Sequence, residues 1–213
     1  FFAPRRKRQP PLELPLTELD SFEVKGKRVP LYRFGNGKPV LLVHGSMSDF
    51  RAWADQVPAL AERYRTFAVS LRHSFPDAWD GRGDDFTVLR HAADLAAFIQ
   101  GMRLGRTHVV GHSRGGAVAL LLARQRPELV RTLILADPGG LEGLLPDTPE
   151  GRRMAQESAG MFARLSQDLA AGDLESAARA FAESLGGKGA WERRSAKQRQ
   201  ILLDNIRTGP ACA

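Results

Sequence analysis

The chain is 213 residues long, 43% hydrophobic, and carries 31 Lys and Arg against 24 Asp and Glu, for a formal net charge of +7. That length supports one sizeable core in a single domain with an insertion, and with no run of about 18 apolar residues a membrane-spanning helix is excluded. The single cysteine, Cys212, excludes an internal disulfide framework and fits a reducing, cytoplasmic compartment.

The basic balance invites a nucleic-acid reading, which the distribution of charge argues against. Four of the cations form one cluster, Arg5, Arg6, Lys7 and Arg8, and most others are interspersed with Asp and Glu. No RNA-binding aromatic motif and no set of zinc ligands is present, so no nucleic-acid partner, metal or cofactor is expected. Residues 1–16 read as a disordered, Pro-rich basic leader. Its charges do not precede an apolar stretch, so it is not a signal peptide. The first residue is not Met, which suggests a processed or cut end.

The core is expected over residues 17–140. Ser21–Val24 and Arg28–Phe34 form a hairpin around Lys25-Gly26-Lys27. Val40-Leu41-Leu42-Val43 is a continuous apolar run, the mark of a parallel strand buried on both faces. It ends in His44-Gly45-Ser46. Asp49 is placed to cap a helix carrying Phe50, Trp53, Val57 and Leu60. Thr66–Ser70 is the next strand, followed by a loop from Leu71 to Asp85. A helix spans Thr87–Met102. The strand Thr107–Val110 leads into Gly111-His112-Ser113-Arg114-Gly115-Gly116 and then a helix to about Gln125. Leu133–Ala136 is a further strand, ending in Asp137-Pro138-Gly139-Gly140. Strands alternating with helices call for an α/β fold: a mostly parallel sheet with helices on both faces and an N-terminal hairpin. Residues 141–213 change character. Helices are expected over Arg152–Ala170, Leu174–Leu185 and Ser195–Asn205, as a lid over the strand ends. Met154, Met161, Phe162, Leu165, Phe181 and Trp191 are available to line a pocket, although helical spacing favours packing within the lid for each.

Gly111 to Gly115 is the Gly-x-Ser-x-Gly pattern of a nucleophile elbow. A serine held on a tight strand-to-helix turn sits in strained backbone, and its neighbours two residues away must be small. Ser113 would then stand at a helix N-terminus, where N–H groups favour negative charge.

On the elbow, the His44-Gly45 turn, Trp53 and the Leu133–Pro138 strand end, the chain resembles the α/β-hydrolase fold family of serine-nucleophile type. The resemblance is close over about residues 20–138 and loose over the helical lid. It implies Ser113 as nucleophile and an oxyanion hole made by the backbone N–H groups of Ser46 and Arg114. Each donor would contribute about 2.7–4 kcal/mol in the transition state. His44 is implied as structural, holding the loop that presents Ser46. One departure is local: where many relatives carry Asp-x-x-Gly-x-Gly-x-Ser, this chain has Ser70-Leu71-Arg72-His73-Ser74-Phe75-Pro76, and His73 there reads as a surface or packing residue.

A serine nucleophile needs a base, itself oriented by an acid. The family order is Ser, then acid, then His. All five histidines, at 44, 73, 91, 108 and 112, precede Ser113. His112 adjoins it, and the elbow should point it elsewhere. Asp137 is the candidate acid, although a turn-forming Asp explains it as well. The expectation is therefore a C-terminally incomplete chain, lacking the last strand–helix units and leaving Leu133–Ala136 as a bare apolar edge. The expected function is hydrolysis of a carboxylic ester or related small-molecule acyl substrate. The alternatives are a non-catalytic binding protein on the same scaffold, C–C bond hydrolysis, or cofactor-free peroxidation. A nucleophilic Asp would have argued for dehalogenation or epoxide opening, and Ser113 argues against both.

Overall fold

The computed structural model describes residues 20–24, 27–141 and 145–212. The expected leader at 1–16 and most of the hairpin turn lie outside these residues.

The apolar run after the hairpin becomes the middle of the molecule. Strand β3 (Lys38–Val43) is flanked by β4 (Tyr64–Val69) and β5 (Thr107–His112), both parallel to it. Strand β6 (Val130–Ala136) lies parallel beyond β5, while β1 (Asp20–Val24) and β2 (Lys27–Phe34) add antiparallel on the β4 side. The order is β1-β2-β4-β3-β5-β6.

Side chains alternate across a strand, so the run in β3 feeds two cores. Leu41 and Val43 join Phe67, Phe98 and Leu122 beneath helices α2 (Val88–Gly101) and α3 (Arg114–Gln125). Val40 and Leu42 join Tyr32, Phe50 and Val57 on the opposite face. Both faces are therefore covered, as a continuous apolar strand requires. Asp49 does cap the next segment, accepting from Arg51 N, but the expected single helix is broken. A 3₁₀ turn at Phe50–Trp53 is followed by α1 (Val57–Ala61). Pro58 explains the break: it has no N–H for a continuous ladder and is tolerated only in the first turn of a new helix.

The second part holds α4 (Pro149–Ala170), α5 (Leu174–Gly186), α6 (Ala190–Arg193) and α7 (Ala196–Asn205). These helices bury their own core of Phe162, Leu165, Phe181, Trp191, Leu202 and Ile206, with Met47 reaching in from the sheet side. Asn205 joins the two parts. Its amide donates to Asp49 Oδ2 at 2.7 Å, and its Oδ1 accepts from Phe75 N at 2.7 Å. Arg51 bridges Asp49 and Asp204 at 2.6 and 2.7 Å. No helix among the described residues is long and apolar enough to cross a membrane.

Strand β6 is the exception to good cover. Ile134 is 54% exposed and Leu135 37% exposed. An apolar edge with free backbone groups is a template for self-association. Ile134→Lys is expected to raise the concentration at which light scattering first detects assemblies, with stability changed by no more than about 0.5 kcal/mol. An unchanged threshold would remove β6 as the associating edge.

Candidate active site

The strand order fixes where the site forms. After β3 the chain moves to β4 on one side, then crosses to β5 on the other. The loops leaving β3 and β5 therefore diverge and open a crevice between the strand ends, the usual place for a ligand in such sheets. Gly45-Ser46 leaves β3 there, and Ser113 leaves β5.

Ser113 has φ +50° and ψ −127° at the N-cap of α3. This is the left-handed region, sparsely allowed for a residue with a Cβ. The turn is held by its neighbours: Ser113 N donates to Ala136 O at 3.1 Å, and Gly116 N to Ser113 O at 2.7 Å. The glycines are required by contact. A Cβ on Gly111 would lie 2.3 Å from Gly115 O, and one on Gly115 would lie 2.2 Å from His44 O. A Cβ on Gly45 would meet Ser113 Cβ at 2.9 Å. The loops of β3 and β5 therefore touch, backbone to backbone, where Ser113 emerges.

His44 holds the β3 loop. Leu71 N donates to its Nε2 at 2.9 Å, so the proton sits on Nδ1, which donates to Gly45 O at 2.8 Å. Burial lowers its pKa to about 4, and it is neutral at pH 7. Arg114 has a buried side chain that the sequence reading did not foresee. Its guanidinium donates to His91 Nδ1 at 2.8 Å and to Phe86 O at 3.1 Å, and lies 4.4 Å from the Phe86 ring centroid. This ties the first turn of α3 to α2 without a carboxylate. Burial, then the Arg114 charge, lowers the pKa of His91 to about 2.

Both histidines have depressed folded-state values, so their neutral forms stabilise the fold and that stability is complete above the unfolded value of about 6.5. As pH falls from about 6.5 the unfolded chain takes up protons that the folded chain refuses. Stability to guanidinium chloride is expected to drop by roughly 1.4 kcal/mol per pH unit for each histidine, down to its folded value. His44→Gln should remove about half of this slope, since it leaves one of the two histidines. Equal stability at pH 7 and pH 5 would contradict the assignment.

Ser46, Ser113 and His112 line one cleft of about 360 Å³. Met47 and Ala52 join them from the sheet side, and the helices supply an apolar wall of Met161, Phe162, Phe181, Leu185, Ile201 and Leu202. Of the six apolar residues named from sequence, three line this cleft. Leu165 and Trp191 pack the helical core instead, and Met154 is exposed. His112 differs from expectation, because the exposed end of β5 directs its ring to the cleft beside Gly45. Among the described residues, no side chain is hydrogen bonded to Ser113 Oγ.

Asp137 is exposed at φ +47°, a conformation Asp tolerates. Its carboxylate has no hydrogen-bond or ion-pair partner among the described residues. Gly139, two residues on, carries no role in the sequence pattern. A Cβ there would lie 3.3 Å from Ser113 Oγ, so this glycine leaves room beside the hydroxyl. Periodicity carries no signal for that proximity. His73 is a packing residue. Its Nε2 is 2.6 Å from Asp85 Oδ1 and its ring stacks on Trp79, 4.7 Å between centroids. The His73 hydrogen bond holds Asp85 below the ordinary carboxylate range. No group of three or more His, Cys, Asp or Glu able to hold a metal occurs among the described residues.

A family model for the alpha/beta hydrolase fold matches residues 38–200. The chain is 34% identical over 125 residues to 2-hydroxy-6-oxo-2,4-heptadienoate hydrolase of Pseudomonas putida, covering 57% of this chain and 45% of that protein. It is 29% identical over 120 residues to a soluble epoxide hydrolase of a Corynebacterium species, covering 54% and 39%. A hydrolase from Pseudomonas aeruginosa superposes with a TM-score of 0.72 at 22% identity, over 93% of this chain and 71% of that one, a likeness of fold. The matched stretches span less than half the length of these sequence relatives. With the family model covering most of the sheet and the helical segment, the chain belongs to the alpha/beta hydrolase fold family.

Proposed function

We propose that the protein is a serine hydrolase acting on a carboxylic ester or related acyl compound, without a cofactor. The observation that carries this is Ser113, held at φ +50° where β5 meets α3 and lining the same cleft as Ser46. In this reading Ser113 Oγ attacks the substrate carbonyl and loses its proton to a base. The backbone N–H groups of Ser46 and Arg114 stabilise the resulting oxyanion. Collapse expels the alcohol, which takes the proton, and water then releases the acid from the acyl-enzyme. The helices α4–α7 act as a lid, and Asp137, at the end of β6, is the candidate acid.

The base is assigned to residues outside this chain. Two observations support that assignment. No imidazole is bonded to Ser113 Oγ among the described residues, and β6 presents the bare apolar side chains of a strand that further structure would cover. The test is to read the uninterrupted coding sequence and treat its product with a fluorophosphonate. The reading requires a His at a later strand end and an adduct mapped to Ser113. A natural stop after Ala213, or an adduct elsewhere, overturns the corresponding part.

C–C bond hydrolysis is the second reading. The Pseudomonas putida relative is named for acting on a 2-hydroxy-6-oxo dienoate, and the same serine and oxyanion donors serve it. Turnover of a dienoate with no turnover of esters would favour it. Epoxide opening is disfavoured by serine at position 113.

A further inference from the structure

The cleft has one charge that nothing answers. Its lining is apolar on the helical side and hydroxyl-bearing on the sheet side, with no carboxylate among the lining residues. Arg194, at the junction of α6 and α7, is the only Lys or Arg lining it. Three arginines close to it in sequence or on the adjoining helix have partners. Arg179 pairs with Glu192, Arg193 donates to the carbonyls of Gly186 and Lys188, and Arg199 donates to those of Trp191 and Glu192. The half-buried Arg194 guanidinium has no hydrogen bond or ion pair among the described residues. Beside it, Gln198 uses its Oε1 to accept from Ser195 N, which leaves its N–H donors uncommitted.

A planar guanidinium without a partner among the described residues, on a residue lining a cleft with an apolar wall, matches a singly charged planar anion. A phosphate monoester, with up to two charges, would call for a second cation, and the lining holds none. We propose that the acyl compound taken by this cleft carries a carboxylate, held by Arg194 and separated by an apolar chain from its reacting carbonyl. The sheet side supplies Ser113 and Ser46, and the helical side supplies the apolar wall and Arg194. This rests on the reading of Ser113 as nucleophile, and it names the substrate class of that site.

The test is binding of octanoate against octanamide, which differ in charge and share the chain, measured by calorimetry on the protein at pH 8 and low salt. Octanoate is expected to bind about tenfold tighter. The preference should fall with added sodium chloride. In Arg194→Gln it should shrink to within about twofold, while Arg194→Lys keeps part of it. Fluorophosphonate labelling of Ser113 in the product of the uninterrupted coding sequence reports the nucleophile separately from this preference. Equal affinities in the unmodified protein, or an undiminished preference in Arg194→Gln, overturns the proposal. Absence of labelling in that product with the octanoate preference intact instead overturns the nucleophile and leaves the anion site standing.

Discussion

In the product of the uninterrupted coding sequence, Ser113→Ala is expected to abolish fluorophosphonate labelling and to lower acyl-transfer turnover by roughly 10⁶, the size of effect seen when a serine nucleophile is removed from a working triad. The effect should be chemical and not structural. Ser113 Oγ makes no hydrogen bond among the described residues, and alanine keeps the same Cβ, so unfolding should be little changed. Ser113→Gly gives the complementary result. Its backbone at φ +50° and ψ −127° is strained for any residue with a Cβ, and relief should raise stability by about 1 kcal/mol while activity is equally lost. A protein whose least active form is its more stable one would show that the strain is kept to present the hydroxyl. Retained labelling in Ser113→Ala would end the nucleophile assignment.

Gly115→Ala is expected to be severely damaging for a single added methyl. The added Cβ would lie 2.2 Å from His44 O and 2.5 Å from Val43 O. Both are backbone atoms of the central strand or its first loop residue, and neither can rotate away. β3 is paired on both sides and cannot recede. Helix α3 would have to lift from the sheet, separating Ser113 from the Ser46 loop and opening the core around Val118 and Leu122. The loss should exceed about 3 kcal/mol, the upper range for overpacking. Gly160→Ala is the control. Nothing lies within 4 Å of its Cβ position, in the middle of α4, so alanine there should add about 0.5–1 kcal/mol through helix propensity alone. Guanidinium chloride midpoints of the two variants should move in opposite directions. A mild effect at Gly115 would mean that α3 does not bear directly on β3.

Much of this was legible in the sequence because it depends on local pattern. The apolar run Val40–Val43 announces a strand covered on both faces, and the structure divides it between two cores. The spacing of Gly111, Ser113 and Gly115 announces a tight strand-to-helix turn, because only glycine tolerates the contacts made there. The bare apolar face of β6 is legible in the wholly apolar Leu133–Ala136, and among the described strands β6 pairs with β5 alone. The break at Pro58 was legible too, since a missing N–H cannot continue a ladder, but helical spacing alone obscured it.

What the sequence by itself determined is the order of elements and the residue types at the turn, both set by backbone sterics and hydrophobic period over a few residues. What only the tertiary structure decided is which distant side chains meet. Arg114 reaches His91 and Phe86, and Asn205 reaches Asp49 and Phe75. Gly139 lies against Ser113, and Arg194, unpaired among the described residues, lines the same cleft as Ser113. These meetings depend on the crossover that places β4 and β5 on opposite sides of β3. No local period encodes that choice, because it is made by burying both faces of one central strand.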